Sequence, residues 1–165
     1  MQRVLQEVAV EQEDTQKDKY LIFSIDKEFY GIDIKYVIEI IGIQPITEVP
    51  QMPSYIKGVI NLRGKIIPVM DVRIKFKKEE KNYDDRTCII VVEIDGLSIG
   101  LIIDTVLEVS SISEEHISSP PRINKKHEKT NKYIKGIGKV ENEVRLLIDC
   151  NKLVEEEVEE ILIMK

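Results

Sequence analysis

YIKGVINLRGKIIPVMDV, residues 55–72, and YIKGIGKVENEVRLLIDC, residues 133–150, are one pattern written twice. The second copy starts 78 residues after the first, and the same spacing carries Asp71 onto Asp149, Ile66 onto Val144 and Val69 onto Leu147. Each copy reads as two strands joined by a turn. In the first, the turn is Leu62–Gly64, where Gly64 can supply a positive φ. In the second it is Val140-Glu141-Asn142, where Asn142 tolerates that backbone shape. Further upstream Gly31 matches Gly100 at a spacing of 69, which also pairs Val37 with Val106 and Glu39 with Glu108. Strand pairs that recur, each too short to bury a core alone, predict two small closed β-units.

Working outward, YLIFSI (20–25) and FYGIDI (29–34) flank a short polar turn and predict a hairpin. TCIIVVEI (87–94) and LSIGLII (97–103) flank Asp95–Gly96, the residue pair best suited to a two-residue hairpin loop. IKYVIEII (34–41), preceded by Asp33 as cap, and its counterpart DTVLEVSS (104–111) read as short helices after the second strand of each half. Pro45, Pro50 and Pro53 interrupt the chain around a short strand near Ile46–Val49. The last fifteen residues read as a helix with Asn151 as N-cap and Val154, Val158, Ile161 and Leu162 on one face. The expected fold class is mainly β: two pseudo-repeated five-stranded barrels packed together, with those short helices and the C-terminal helix. Residues 1–18 read as a flexible arm with a short amphipathic helix around Val4–Val10, and 19–165 as one domain. Its two subdomains are placed at about 30–80 and 85–150, separated by the charged linker KFKKEEKNYDD, with 19–29 and 151–165 closing the structure. Halves of that size are marginal alone, so they are expected to share a core.

Composition excludes several function classes. A net charge of −6, with the lysines interspersed among acids outside the clusters Lys75–Lys81 and Lys125–Lys132, disfavours nucleic acid. Tryptophan is absent and aromatics make up 5%, which leaves little for a base-stacking platform. No apolar run reaches the roughly 18–20 residues of a membrane helix, and MQRVLQEVAVEQED lacks a signal peptide's apolar centre, so a cytoplasmic location is expected. Cys88 and Cys150, in apolar runs, read as reduced core thiols. His116 and His127 have no Cys or acid at ligand spacing, and no metal or cofactor is expected. Ser110, Ser111 and Ser113 lie in no nucleophile elbow, and there is no P-loop or GxGxxG. Glu155–Glu157 and Glu159–Glu160 read as a solvated helix face. Asp71 and Asp149, being repeat-related, read as strand-end hydrogen-bonding groups. The chain is not expected to be an enzyme.

The stretch YIKGVINLRGKIIPVMDVRIKF (55–76), together with YLIFSIDKEFYGIDIKYVIEII (20–41), resembles the CheW family of chemotaxis coupling proteins. The likeness runs from Tyr20 to the C-terminal helix. It implies two intertwined SH3-like barrels and a non-enzymatic adaptor. Such an adaptor couples the regulatory domain of the histidine kinase CheA, which shares this fold, to the cytoplasmic helical tips of transmembrane chemoreceptors (methyl-accepting chemotaxis proteins). It further implies a cytoplasmic protein, monomeric when isolated, recruited to membrane receptor clusters as an array component without inserting in the membrane. A CheW-like regulatory module of another kinase pathway, or a small-barrel peptide-binding protein, stays open as an alternative.

The repeat helps to weigh individual residues. Gly58 recurs as Gly136, so a strand bulge or close backbone approach competes with a role at a partner surface. Arg63 becomes Glu141, so the turn is kept while its tip changes charge, and the resemblance implies that Arg63 faces the receptor. By the same resemblance Val37 and Glu39 lie by a receptor-binding groove, lined also by Ile38 and Ile41 and completed by Asn61 and Leu62. Core packing is the competing account of Val37, through its match to Val106. For the kinase, the resemblance points to Ile99, Leu101 and Val106, which could equally be ordinary core.

Overall fold

The computed structural model describes residues 16–120 and 132–164, with side chains to Glu157. The expected helix at Val4–Val10, His127, most of the Lys125–Lys132 cluster and the side chains of Val158, Ile161 and Leu162 fall outside the described residues.

Strands β1 (Lys19–Ile25) and β2 (Glu28–Asp33) form the first hairpin, followed by β3 (Val37–Gly42). The first YIKG copy is the hairpin β4 (Ile56–Leu62) and β5 (Lys65–Asp71), ending in a one-turn helix α1 (Val72–Lys75). The second half repeats this with β6 (Cys88–Ile94), β7 (Leu97–Ile103), β8 (Thr105–Ser111), the two-residue β9 (Ile117–Ser118), β10 (Ile134–Val140) and β11 (Glu143–Ile148). Helix α2 (Cys150–Met164) closes the chain. The loops obey their sequence: Asp95 and Gly96 take φ of 51° and 78°, and Arg63 and Gly64 take 52° and 85°, the paired positive values of a primed hairpin turn. In the matching second-half turn the left-handed residue is Glu141 (57°) and not Asn142.

The two halves exchange hairpins. One sheet runs β8-β1-β2-β11-β10-β9 and the other β3-β6-β7-β5-β4, so each combines strands from both halves. The sheets therefore do not divide at the 80–85 linker: β6 and β7 lie with the first half's strands, and β1 and β2 with the second's. Two parallel pairings make the exchange, β2 on β11 and β5 on β7. They are themselves repeat-related, because Gly31 pairs with Leu147 just as Gly100 pairs with Val69. A Cβ on Gly31 would come 2.8 Å from the Leu147 side chain, and one on Gly100 2.8 Å from Val69. Glycine recurs there because the exchanged strand covers it.

Both short helices expected after the second strands are replaced. Ile34–Tyr36 makes a single 3-10 turn, and the rest of IKYVIEII is β3, paired with β6. DTVLEVSS is β8, paired with β1. Asp33 makes no side-chain cap; its carboxylate takes a hydrogen bond from Lys135 instead. The strand near Ile46–Val49 reduces to one bridge, Thr47 on Val59. Helix α2 is capped by Asp149, which accepts from the Lys152 amide at 3.1 Å, while the Asn151 amide donates to the Tyr36 hydroxyl. Asp71 caps α1 in the same way through the Ile74 amide, so the two repeat-related aspartates do serve strand ends.

Leu21, Phe23 and Ile25 of β1, Ile90 and Val92 of β6, Ile99 and Leu101 of β7 and Leu153 and Val154 of α2 form a core shared between the sheets. Each barrel adds its own interior, Ile60, Ile67, Val69 and Ile89 in one, Tyr20, Ile22, Ile112 and Leu147 in the other. The rings of Phe23, Tyr30, Phe76 and Tyr133 run through the shared core with centroids 5.4–5.9 Å apart and tie the first hairpin to the second half.

Candidate functional site

Four bulges shape the surface, and they come in repeat-related pairs. On β3 the register slips between Val37 and Glu39, leaving Ile38 as the extra residue. On β8 it slips between Val106 and Glu108, leaving Leu107. On β4 and β10 the slips leave Lys57 and Lys135. A bulge turns its extra side chain away from the regular alternation. Accordingly Ile38 is 44% exposed and Leu107 47%, on strands whose other apolar residues pack inward.

Gly58 follows the β4 bulge at φ 142°, and a Cβ there would lie 2.0 Å from the Thr47 carbonyl oxygen. It is buried, so both structural accounts of this residue hold together: a bulge and a close backbone approach. Asn61 accepts a hydrogen bond from the Gly64 amide at 2.8 Å and so fastens the turn that presents Arg63. Strands β3 and β4 are the two edges of their sheet. The Arg63 guanidinium hydrogen-bonds the Glu39 carboxylate, so the pair spans the barrel seam. Arg63 keeps 69% of its side chain exposed while Glu39 keeps 15%. The hydrogen bond to Glu39, aided by its charge, raises the Arg63 pKa still further.

The residues singled out from sequence thus divide. Glu39, Asn61 and Arg63 come together at one rim, with Ile38 exposed on β3. Leu62 and Ile41 pack against the barrel interior, and Val37 against the shared core, as its match to Val106 allowed. Of the three residues expected to face the kinase, Ile99 and Leu101 have no exposure at all, and Val106 is half-buried against the same core. Ile99 and Leu101 lie on β7, buried from Ser98 to Ile103, whereas Val106 lies on the partly exposed β8.

The second rim was missed. There the residue after the bulge is Glu108, and its cation is Arg145 of β11, 3.8 Å away, which also lies 2.6 Å from Glu143. Arg145 sits over the Phe29 ring at 4.9 Å with 6% of its side chain exposed. The repeat register held the signal, since Arg145 stands where the first half has Ile67. His116, exposed, is 3.5 Å from Glu115. Both cysteine thiols are buried, and burial raises their pKa, that of Cys150 to about 12.

Known proteins give this geometry a context. The family model described as the CheW-like domain matches residues 19–158. The chain is 35% identical to the chemotaxis protein CheW of Klebsiella aerogenes over 144 residues, covering 87% of this chain and 86% of that one. To the chemotaxis protein CheW of Bacillus subtilis it is 34% identical, covering 85% and 88%. The crystal structure of the scaffolding protein TtCheW from Thermoanaerobacter tengcongensis superposes with a TM-score of 0.76 at 38% identity, covering 84% of this chain and 92% of that one. A family match over the whole double barrel, with exchanged hairpins and both rims inside it, shows that the chain belongs to the CheW-like domain family.

Proposed function

We propose that this protein is a non-catalytic chemotaxis adaptor that binds the regulatory domain of the histidine kinase CheA and the cytoplasmic helical tips of chemoreceptors. By holding both, it lets the receptor state bias kinase activity through a population shift. Membership of a family whose relatives bear the names chemotaxis protein and scaffolding protein supports the adaptor role. The observation that carries the receptor side is the Arg63–Glu39 pair: a guanidinium aimed across the seam, mostly exposed, beside the exposed Ile38. Such a rim suits a helix offering a carboxylate next to an apolar residue. No helix among the described residues is long and apolar enough to cross a membrane. On this reading membrane recruitment comes through the receptors, and the isolated protein is a monomer.

The test is a calorimetric titration of the purified protein against a CheA regulatory domain and, separately, a receptor cytoplasmic fragment. Arg63→Glu and Arg63→Ala are run alongside, with circular dichroism to confirm folding. Binding to both partners is expected, with receptor affinity falling at least about tenfold in Arg63→Glu and kinase affinity unchanged. A folded wild-type protein that binds neither cognate partner would sink the adaptor reading. Receptor binding that survives Arg63→Glu would move the receptor surface elsewhere.

A further inference from the structure

The linker KFKKEEKNYDD does more than join the halves. Its Tyr83 hydroxyl donates to Asp71 at 2.8 Å, and the ring packs against the first barrel's interior. Glu80 pairs with the bulge residue Lys57, and the Glu79 carbonyl accepts from Arg73 at 3.3 Å. Lys81 lies 4.0 Å from Asp104, which Arg73 also holds. An irregular stretch of chain, Glu79–Tyr83, is thereby seated on the flank of the barrel through both main chain and side chains. Next to it a remnant of about 10 Å³ stays open by Thr87, Ile102 and Asp104.

The second barrel has the same seat in a different state. At the 69-residue spacing Asp18, Asp33 and Lys35 match Thr87, Ile102 and Asp104, and at the 78-residue spacing Lys135 matches Lys57. Those four residues line one cavity of about 630 Å³, with Tyr20 in its wall. A space of that size falls in the range of ligand sites. The repeat supplies no second linker for it, because the residues in the linker's register, from Glu155 on, continue helix α2. The electrostatics of the seat have also changed. Where the first barrel offers the Asp104 carboxylate to Lys81, the second offers the exposed Lys35 ammonium, 5.1 Å over the Tyr36 ring. Where Arg73 stands, the second has Asn151, which donates to the Tyr36 hydroxyl. Four lysines and three carboxylates line the cavity, and one of those carboxylates, Asp33, is held by Lys135.

We infer that this cavity is a binding site for an irregular, acidic peptide segment of a protein partner. The segment lies as the linker lies on the first barrel, with a carboxylate at Lys35 in the position where the linker sets Lys81 against Asp104. The first barrel favours a peptide over a free small acid, because the corresponding place there is filled by consecutive residues of a chain. Reversal of charge at a single matched position makes the two seats selective: a segment that suits one is repelled at the same point by the other. The inference involves neither the Arg63 rim nor the adaptor reading, and each can fail alone.

The experiment adds two synthetic peptides with blocked ends to the isotope-labelled full chain and follows its amide NMR spectrum. One is the linker itself, KKEEKNYDD (residues 77–85), and the other is KKEEENYDD, the same peptide with Lys81→Glu. The Lys81→Glu peptide is expected to give saturable shifts at residues 17–20 and 33–35 and at Lys135. The unchanged linker peptide should bind at least about fivefold more weakly, and added salt should narrow the difference. In Lys35→Asp, an exposed substitution whose fold circular dichroism checks, the order of the two peptides should reverse. Absence of saturable shifts at the cavity would overturn the inference, as would equal affinity of the two peptides or an order unchanged by Lys35→Asp. N-acetylglutamate reproducing the same shifts at the same affinity would assign the cavity to small carboxylates and overturn the peptide reading.

Discussion

At the scale of single residues, Gly58 shows how little freedom the repeat leaves. Its φ of 142° and the Thr47 carbonyl 2.0 Å from any Cβ combine strain with a backbone clash that no side-chain movement relieves. Gly58→Ala should therefore destabilise the protein by about 2 kcal/mol or more, seen as a lower urea midpoint at unchanged slope. Wild-type stability in that variant would mean the β3–β4 loop can step aside. The cysteines give a second expectation. Thiolates are the reactive species, and burial holds the Cys150 thiol at about 12. Neither Cys88 nor Cys150 should react with a thiol reagent in the native protein near about pH 8, whereas both should react promptly in denaturant.

Elements were legible to the extent that their periodicity was undisturbed. The hairpins of each half, their turns and the pairing of Gly31 with Gly100 could be read because alternation and spacing survive in the sequence. The misread helices have a definite cause. Ile34, Val37, Ile38 and Ile41 fall at the i, i+3, i+4, i+7 spacing of a helix face, yet Ile34 belongs to a 3-10 turn and the other three to a strand into which a bulge has inserted Ile38. One inserted residue turns a period of two into a counterfeit of 3.6. The apolar face that docks α2 was legible, with Val154 in the shared core, but the buried charge pair beside it was not. Lys75, 3% exposed, lies 3.4 Å from Glu157, 7% exposed, and 4.0 Å over the Tyr55 ring. Removing Glu157 leaves the buried Lys75 only the exposed Glu156 at 3.9 Å, so Glu157→Leu should cost about 2–3 kcal/mol. The double variant Lys75→Met/Glu157→Leu should recover most of that loss, and a double-mutant cycle by chemical denaturation would show it. Additive losses would mean that the pair is not coupled.

For the whole molecule, exchanged hairpins and a shared core predict one unfolding transition with coincident signals from every probe. Alkali should reveal it too. Burial raises the phenol pKa of Tyr30, Tyr55 and Tyr83, helped by hydrogen bonds to Glu28, Glu156 and Asp71 respectively and, at Tyr55, by the neighbouring Glu157. The folded state holds these protons more tightly than the unfolded chain. The resulting stabilisation is complete below the ordinary tyrosine value of about 10 and is lost as the pH climbs towards the raised values. Stability should fall above about pH 10, with tyrosinate absorbance rising together with loss of structure. Tyrosinate appearing in the still-folded protein would show those phenols to be accessible. The family and an intertwined barrel pair were readable at this scale through the resemblance, but which strands exchange was not, because a strand carries no local mark of a neighbour far along the chain. For the same reason the strand of Ile99 and Leu101 gave no sign of which side was covered.

The exchange has a consequence for how the protein is made. A ribosome delivers β1 and β2 first, but the parallel neighbour of β2 is β11, which begins at Glu143. The opening hairpin must then stay unsatisfied on one edge through most of translation, while the other sheet can close as soon as β7 has emerged at Ile103. A prematurely stopped chain would display an open, apolar strand edge, the kind of surface that chaperones and proteases detect. Only a finished molecule hides it, so the topology itself separates full-length chains from truncated ones.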